Sequence, residues 1–384
     1  MEKVLITDGL WRKSLAAVRA LAKAGYWVSA GEKTPLATAL FSRFANKVLV
    51  YPNPAAAPQK FLDFILAELK KEQYAAIFLM EEETLLLLDT AREEIEKLTR
   101  FPFASGDEIR RLRDKARLPE IASSLGISTP RTFEPRDLEE LRADAALLPP
   151  PWVLKPAVSS GSRGRVYAAD LQELETRFER LKTAYPRILL QERILGESFA
   201  ASGLGDGKGK LLAFFAHQRL RTYPLDGGPA TLAQSVKSPE LERLTREFFS
   251  GVEWYGVGQL EFIRDQRQGS FQLLEFNPRF WGSLQLAVGS GVNFPELLLK
   301  MAKGESFEPV TDYQEGFLGG WFFPGEVLSF LSRPDKAQGL KELLSRPQNQ
   351  DFIYSPEDWR PLAGKILSGI NWLFYPELRR ILKK

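Results

Sequence analysis

Residues 256–280, GVGQLEFIRDQRQGSFQLLEFNPRF, read as two strands joined by a polar turn containing Gly269. If the hairpin is symmetric about Gln268, Glu261 lies directly across from Glu275. Period-2 alternation then puts Gln259, Glu261, Glu275 and Asn277 on one face. Like charges facing each other across a sheet are destabilising. A divalent cation removes that penalty, and carboxylate and amide oxygens are the ligands Mg²⁺ prefers. The plainer alternative is an exposed hairpin with scattered charge, because its register is not fixed by the pattern alone.

Composition narrows the chemistry around this hairpin. The chain has 384 residues, no Cys and one His, His217. Thiol nucleophiles, disulfides and His or Cys metal clusters are thereby excluded. A Ser-His-Asp triad would have to use His217, and no G-x-S-x-G elbow accompanies it. The net charge of +3 is spread among 52 bases and 49 acids, which argues against a nucleic-acid partner. Hydrophobic residues are 44% and charged residues 26%, as in ordinary globular proteins. No apolar run spans a bilayer and the first residues lack a leader pattern, so a cytoplasmic location is expected.

Upstream, Val4–Thr7, a helical stretch from Ser14 to Ala24 and Tyr26–Ser29 make a β-α-β opening, with Gly25 as the helix C-cap. The G-x-G-x-x-G fingerprint is missing, although Glu32 stands where a ribose-binding acid would. A third strand, residues 75–80, runs into Glu81, Glu82 and Glu83. That cluster reads either as a ligand-facing edge or, preferably, as solvated acids opening a helix. Further strands are expected at 152–155, 188–191, 211–216, 256–263 and 271–276. Pro-rich 148–151 and the stretch 304–309 look like boundaries.

Several segments between them carry charge at strand ends or in flexible loops. Lys155 closes the apolar strand WVLKP and precedes the small-residue loop Ser159-Ser160-Gly161-Ser162-Arg163-Gly164. Such a loop exposes backbone N–H groups that can cover phosphates, although a simple turn has the same composition. Lys115 sits in RLRDKARLPEIASSLGISTP, where a lone lysine would ordinarily be solvated. LLQERILGESF turns from an apolar strand into a polar segment, placing Glu192, Arg193, Ile194 and Glu197 together.

In this order, Lys115, Lys155, the SSGSRG loop, the QERILGE hinge, Glu261 and the E-F-N-P-R run at 275–279 resemble the ATP-grasp superfamily. The match covers about 106 to 305. The resemblance implies a Rossmann-like, pre-ATP-grasp α/β domain at 1–105 and an α+β ATP-grasp fold at 106–305. A lid subdomain is expected at roughly 118–188, and a small C-terminal extension at 306–384. Lys115 and Lys155 would contact the phosphates of ATP, and Ser160, Gly161 and Ser162 would lie in the lid. Glu192 and the backbone of Arg193 and Ile194 would hold adenine, with Glu197 on the ribose. Glu261, Glu275 and Asn277 would ligate two Mg²⁺ ions, Mn²⁺ being an acceptable substitute. Arg279 would steady the transferred phosphoryl group.

The implied activity is ligation: a carboxylate is activated as an acylphosphate and coupled to an amine or ammonia. The alternatives are a phosphotransferase and a non-catalytic nucleotide-binding protein. In AFFAHQRLRTYPLDGG, alternation puts His217, Arg219 and Arg221 on one face, where two arginines could clamp an anion at the acceptor site. A basic solvated strand is the alternative, and His217 reads equally as a hydrogen bonder or a base. Small-molecule substrates and a homodimer are compatible with the resemblance. The stripe Ile366, Leu367, Ile370, Leu373 and Phe374, with Arg379, Arg380, Lys383 and Lys384 after it, is expected to dock on protein. Membrane-surface association is the less favoured reading.

Overall fold

A computed structural model describes residues 1–159, 163–344 and 349–374, the side chains of 344 and 370–374 excepted. Its first sheet contains β1 (Lys3–Ile6), β2 (Trp27–Glu32), β3 (Lys47–Val50) and β4 (Ala76–Phe78) in the order β3-β2-β1-β4. All pairings are parallel. The apolar run Val4, Leu5, Ile6 is fully buried, as parallel strands covered on both faces require. The expected third strand is therefore the fourth. The sequence reading passes over β3, an edge strand in which only Leu49 is buried.

A small antiparallel sheet comprises β5 (Thr132–Phe133), β6 (Trp152–Pro156), β7 (Val166–Ala168) and β8 (Ile188–Glu192), ordered β5-β8-β6-β7. Its apolar face and the helices Leu138–Ala146 and Leu171–Lys182 enclose a core of their own, with Leu154, Leu174, Phe178 and Leu190 at its centre. Asp137 and Asp170 cap the two helices, each accepting a backbone N–H from the third helical residue.

The third sheet holds β9 (Gly196–Asp206), β10 (Leu211–Thr222), β11 (Ala230–Ser235), β12 (Tyr255–Asp265), β13 (Phe271–Asn277), β14 (Leu318–Gly320) and β15 (Gln350–Asp351). Its order is β13-β12-β9-β10-β11-β14-β15. It shares one continuous core with the parallel sheet, so residues from Val4 to Ile353 pack together. β9 lies paired between β12 and β10 and escaped the sequence reading because it is built of Ala, Ser and Gly. Those small residues are required by close approach: a Cβ on Gly205 would stand 2.2 Å from the Trp254 carbonyl oxygen.

The segment after 306 is woven into this body. β14 pairs with β11, and β15 pairs with β14. Arg19 on the first helix meets the buried Asp358 at 2.9 Å. Ile366 and Leu367 of the expected apolar stripe are exposed. The Ile370, Leu373 and Phe374 side chains, with Arg379, Arg380, Lys383 and Lys384, lie outside the described residues. No helix among the described residues is long and apolar enough to cross a membrane.

Candidate active site

The β12–β13 register pairs Glu261 with Glu275 and Gln259 with Asn277, and a bulge follows Glu261. The two facing carboxylates are compensated by cations from other elements. Lys115 Nζ lies 3.2 Å from Glu275 Oε2, and the Arg219 guanidinium pairs with Glu261. Asn277 Nδ2 reaches Glu261 Oε1 at 3.2 Å and Glu275 Oε1 at 3.4 Å. Burial by itself would raise the Glu275 pKa, but Lys115, Lys155 and Arg219 bring it down to about 2. The carboxylate is therefore ionised at neutral pH.

Lys115 is no solvated helix residue. It occupies the turn between the helices Gly106–Arg113 and Leu118–Ser124, is buried, and donates to Ser159 O at 2.7 Å. Lys155 is the penultimate residue of β6, also buried, with Gln191 Oε1 as its acceptor at 2.9 Å. Burial and then the neighbouring Lys115 pull its pKa down to about 7. Two buried ammonium groups beside one carboxylate leave an excess of positive charge, which is what a polyphosphate requires.

These residues line one end of a cavity of about 570 Å³ between the small sheet and the seven-stranded sheet. Glu192, Arg193, Ile194 and Glu197 line it too. Glu192 is held by Arg131 at 3.4 Å and Arg267 at 3.2 Å. Glu197 accepts from Gln218 Nε2 at 2.7 Å, and the Arg193 guanidinium lies 4.7 Å from the Tyr167 ring centre. Ser160, Gly161 and Ser162 lie outside the described residues, while the flanking Ser159 and Arg163 line the cavity.

The structure decides the acceptor strand at three residues and corrects the reading of two arginines as one clamp. Arg219 and Arg221 are not solvated, their side chains being 14% and 13% exposed. Nor do they form one clamp, because a register shift between them sends Arg221 to Glu326 at 2.8 Å while Arg219 meets Glu261. His217 is 1% exposed, with Nε2 against Ser283 Oγ at 3.1 Å. Burial and then Arg219 lower its pKa to about 3, so it is neutral at physiological pH.

The acids after β4 differ from the preferred reading as well. Glu83 is 66% exposed, but Glu82 is buried and holds Arg113 at 2.8 Å and Arg279 Nε at 3.2 Å. Arg279 donates in turn to Asn277 Oδ1 at 3.3 Å, so Glu82 anchors Arg279 beside the amide that bonds both facing carboxylates. Glu81 pairs with the buried Lys13 at 2.6 Å. The sequence signal was present, since three acids end a strand, but only the fold brings Arg279 to them. Glu32 binds the backbone N–H groups of Leu10 and Lys33 at 3.0 and 2.8 Å and serves its own loops.

The oxygen donors Glu261, Glu275 and Asn277 fit a hard divalent cation. No group of three or more acidic, His or Cys side chains that could hold a metal occurs among the described residues. A metal here would thus draw its remaining ligands from phosphate oxygens and water, as Mg²⁺ commonly does.

Residues 185–318 match the family described as ATP-grasp in the biosynthetic pathway with Ter operon. The chain is 24% identical over 308 residues to the formate-dependent phosphoribosylglycinamide formyltransferase of Synechococcus sp. strain RCC307, spanning 77% of this chain and 76% of that one. It is 24% identical over 201 residues to the D-alanine–D-alanine ligase of Saccharophagus degradans, spanning 49% and 63%. Among solved structures it resembles the biotin carboxylase domain of Hydrogenobacter thermophilus 2-oxoglutarate carboxylase, crystallised with MgADP, ADP and bicarbonate. The TM-score is 0.69 at 20% identity, over 83% of this chain and 73% of that one. It also resembles the L-amino acid ligase from Bacillus licheniformis, with a TM-score of 0.60 at 17% identity over 79% and 74%. With the three sheets and the Lys115–Lys155–Glu275 end of the cavity, the chain has the fold of these ATP-grasp relatives, and residues 185–318 carry the match to an ATP-grasp family.

Proposed function

We propose that the chain is an ATP-dependent ligase that activates a carboxylate as its acylphosphate and couples it to an amine or ammonia. The observation that carries this reading is the convergence of Lys115, Lys155, Glu261 and Glu275 on one cavity, with Asn277 bonded to both carboxylates. Residues 1–105 are read as the Rossmann-like, pre-ATP-grasp unit, 106–305 as the ATP-grasp body with its lid near 118–188, and 306–384 as the extension. A homodimer of cytoplasmic protein is the working assembly.

Lys115 and Lys155 receive the phosphates of ATP, and the segment 159–164 covers them. Glu192, Arg193 and Ile194 hold the base, and Glu197 the ribose. Glu261, Glu275 and Asn277 would hold one or two Mg²⁺ ions, or Mn²⁺ in their place, which supply charge neutralisation on the phosphates. Arg279, fixed by Glu82, faces the group being transferred. Arg219 is the acceptor-side cation nearest the carboxylates, and Arg221 ties the acceptor strand to the extension. None of this requires a thiol or a titrating His, because phosphoryl transfer depends on positioning and electrostatics.

Product analysis tests the reading. Ligation yields ADP and free phosphate together, and only when a carboxylate and an amine are both present. ADP formed without free phosphate would instead establish the phosphotransferase.

A further inference from the structure

Between Tyr223 and Pro229 the chain turns from β10 into β11, and this turn is fixed from two sides. Within it, Gly227 N donates to Pro224 O and Tyr223 N to Pro229 O, both at 3.2 Å, while Thr222 Oγ1 reaches Pro224 O at 3.1 Å. From the small sheet, Tyr167 Oη donates to Asp226 O at 2.8 Å, and Arg165 Nη2 to Asp226 O at 3.1 Å and to Gly227 O. Gly227 stands at φ +118°, where a side chain would be strained, and a Cβ on Gly228 would collide with the Tyr223 carbonyl oxygen. The Gly227-Gly228 pair therefore lets the turn lie against β7.

The strand that leads into this turn departs from regular alternation. Arg219 faces Ala233 and Arg221 faces Leu232, so Leu220 between them is an extra residue without a partner on β11. Alternation would send Leu220 to the face opposite Arg219 and Arg221, yet all three line the cavity. Leu225, in the pinned turn, lines it too. Leu220 is 40% and Leu225 43% exposed, beside the charged Arg219, Arg221 and Asp226. Single exposed leucines are common on protein surfaces. Here one is turned into a cavity by a bulge, and the other is held over it by hydrogen bonds from a second sheet. Together they make an apolar spot within a binding site.

We propose that Leu220 and Leu225 receive an apolar group of the substrate that enters beside Arg219, which makes that substrate an amine or carboxylate bearing a hydrocarbon group. This substrate class rests on the ligase reading above and sharpens it. The position fits the role, because Leu220 directly follows Arg219, whose guanidinium pairs with Glu261. It is also distinct from the base end. Ile263 and Leu274 line the cavity from β12 and β13, next to the hinge, where Gln266 N bonds Leu195 O at 3.0 Å. β9 lies between those two strands and β10. The nucleotide base and the apolar group thus have separate walls.

The test uses the full chain saturated with Mg-ADP, so that alkyl chains do not report on the base end. Straight-chain amines from methylamine to hexylamine, and carboxylates from acetate to hexanoate, are titrated by calorimetry into wild type, Leu220→Ser and Leu225→Ser. The expected result is an affinity that rises about two- to fourfold per added methylene in at least one series. Each variant should flatten that rise while keeping the melting temperature and its increase with Mg-ADP, since both leucines are exposed. Tyr167→Phe leaves both leucines in place and loosens the turn, and should weaken the longest chain about threefold with methylamine and acetate unchanged. No rise with chain length in wild type, or the same rise in wild type and both leucine variants, overturns the pocket. Phosphate release from Mg-ATP separates this outcome from the ligase reading. Release with polar substrates alone ends the apolar pocket and leaves the ligase, whereas chain-length-dependent binding without coupled release in any pairing keeps the pocket and ends the ligase.

Discussion

Two buried polar clusters in this chain are built to opposite ends. At the carboxyl edge of the parallel sheet, Asp8 accepts from Thr7 Oγ1, Thr84 Oγ1 and the backbone N–H groups of Met80 and Glu81, and Glu32 from two further amides. In the cavity, Lys155 bonds one neutral amide oxygen and shares the single carboxylate of Glu275 with its like-charged neighbour Lys115. The first cluster is saturated by the protein, whereas the second is left in need of negative charge. Saturation is the mark of a group that holds the fold, and deficit that of a group awaiting a ligand. The comparison also explains why the sheet's acidic edge is no nucleotide site although it stands where such sites occur in α/β folds.

The contrast can be broken by substitution. The largest effect is expected from Glu275→Gln, which keeps shape and removes charge between Lys115 and the proposed metal. ATP turnover should fall on the order of a thousandfold, with the far-ultraviolet dichroism of wild type retained. Turnover within tenfold of wild type would detach the hairpin from the chemistry.

Asp8→Ala should do the reverse. It is expected to cost about 3 kcal/mol of stability by orphaning buried donors, visible in urea unfolding, while Mg-ATP still raises the melting temperature. This cost has a pH sign. Burial and then Glu81 raise the Asp8 carboxyl from 3.8 to about 6, so its contribution is present below 3.8 and is lost as pH rises through 6. The stability gap between wild type and variant should therefore be wider at pH 4 than at pH 7.

A smaller change is expected at the link between the clusters. Glu82→Gln loosens Arg279 without touching the phosphates, and turnover should drop about tenfold at unchanged ATP affinity. Glu82→Asp, which keeps the charge, should recover part of the loss.

Much of the site was legible because strand alternation and hairpin symmetry are local properties. Facing of Glu261 and Glu275 followed from counting about Gln268, and the register bears it out. Buried strands rich in Val, Leu and Phe were visible for the same reason, whereas β3, Lys-Val-Leu-Val at the sheet edge, was passed over. β9 was not, because its Ala, Ser and Gly residues carry no apolar pattern and are dictated by neighbours 50 residues away. The partners of Arg219, Arg221 and Arg279 were equally hidden, since Glu261, Glu326 and Glu82 reach them through tertiary packing. A β-bulge between Arg219 and Arg221 defeats simple alternation, and nothing in the composition of that strand announces it.

The deficit of negative charge at Lys155 can be measured directly. Burial lowers the lysine from 10.5 to about 7, whereas bound phosphates favour its cation, so Mg-ATP binding at pH 8 must draw a proton onto the protein. Calorimetric titration of Mg-ATP in two buffers of different ionisation enthalpy reports that proton. The expected result is net uptake by wild type that disappears in Lys155→Met, together with a loss of affinity on the order of tenfold or more. Equal heats in the two buffers, or an unchanged affinity in Lys155→Met, would contradict the assignment of this cavity as the nucleotide site.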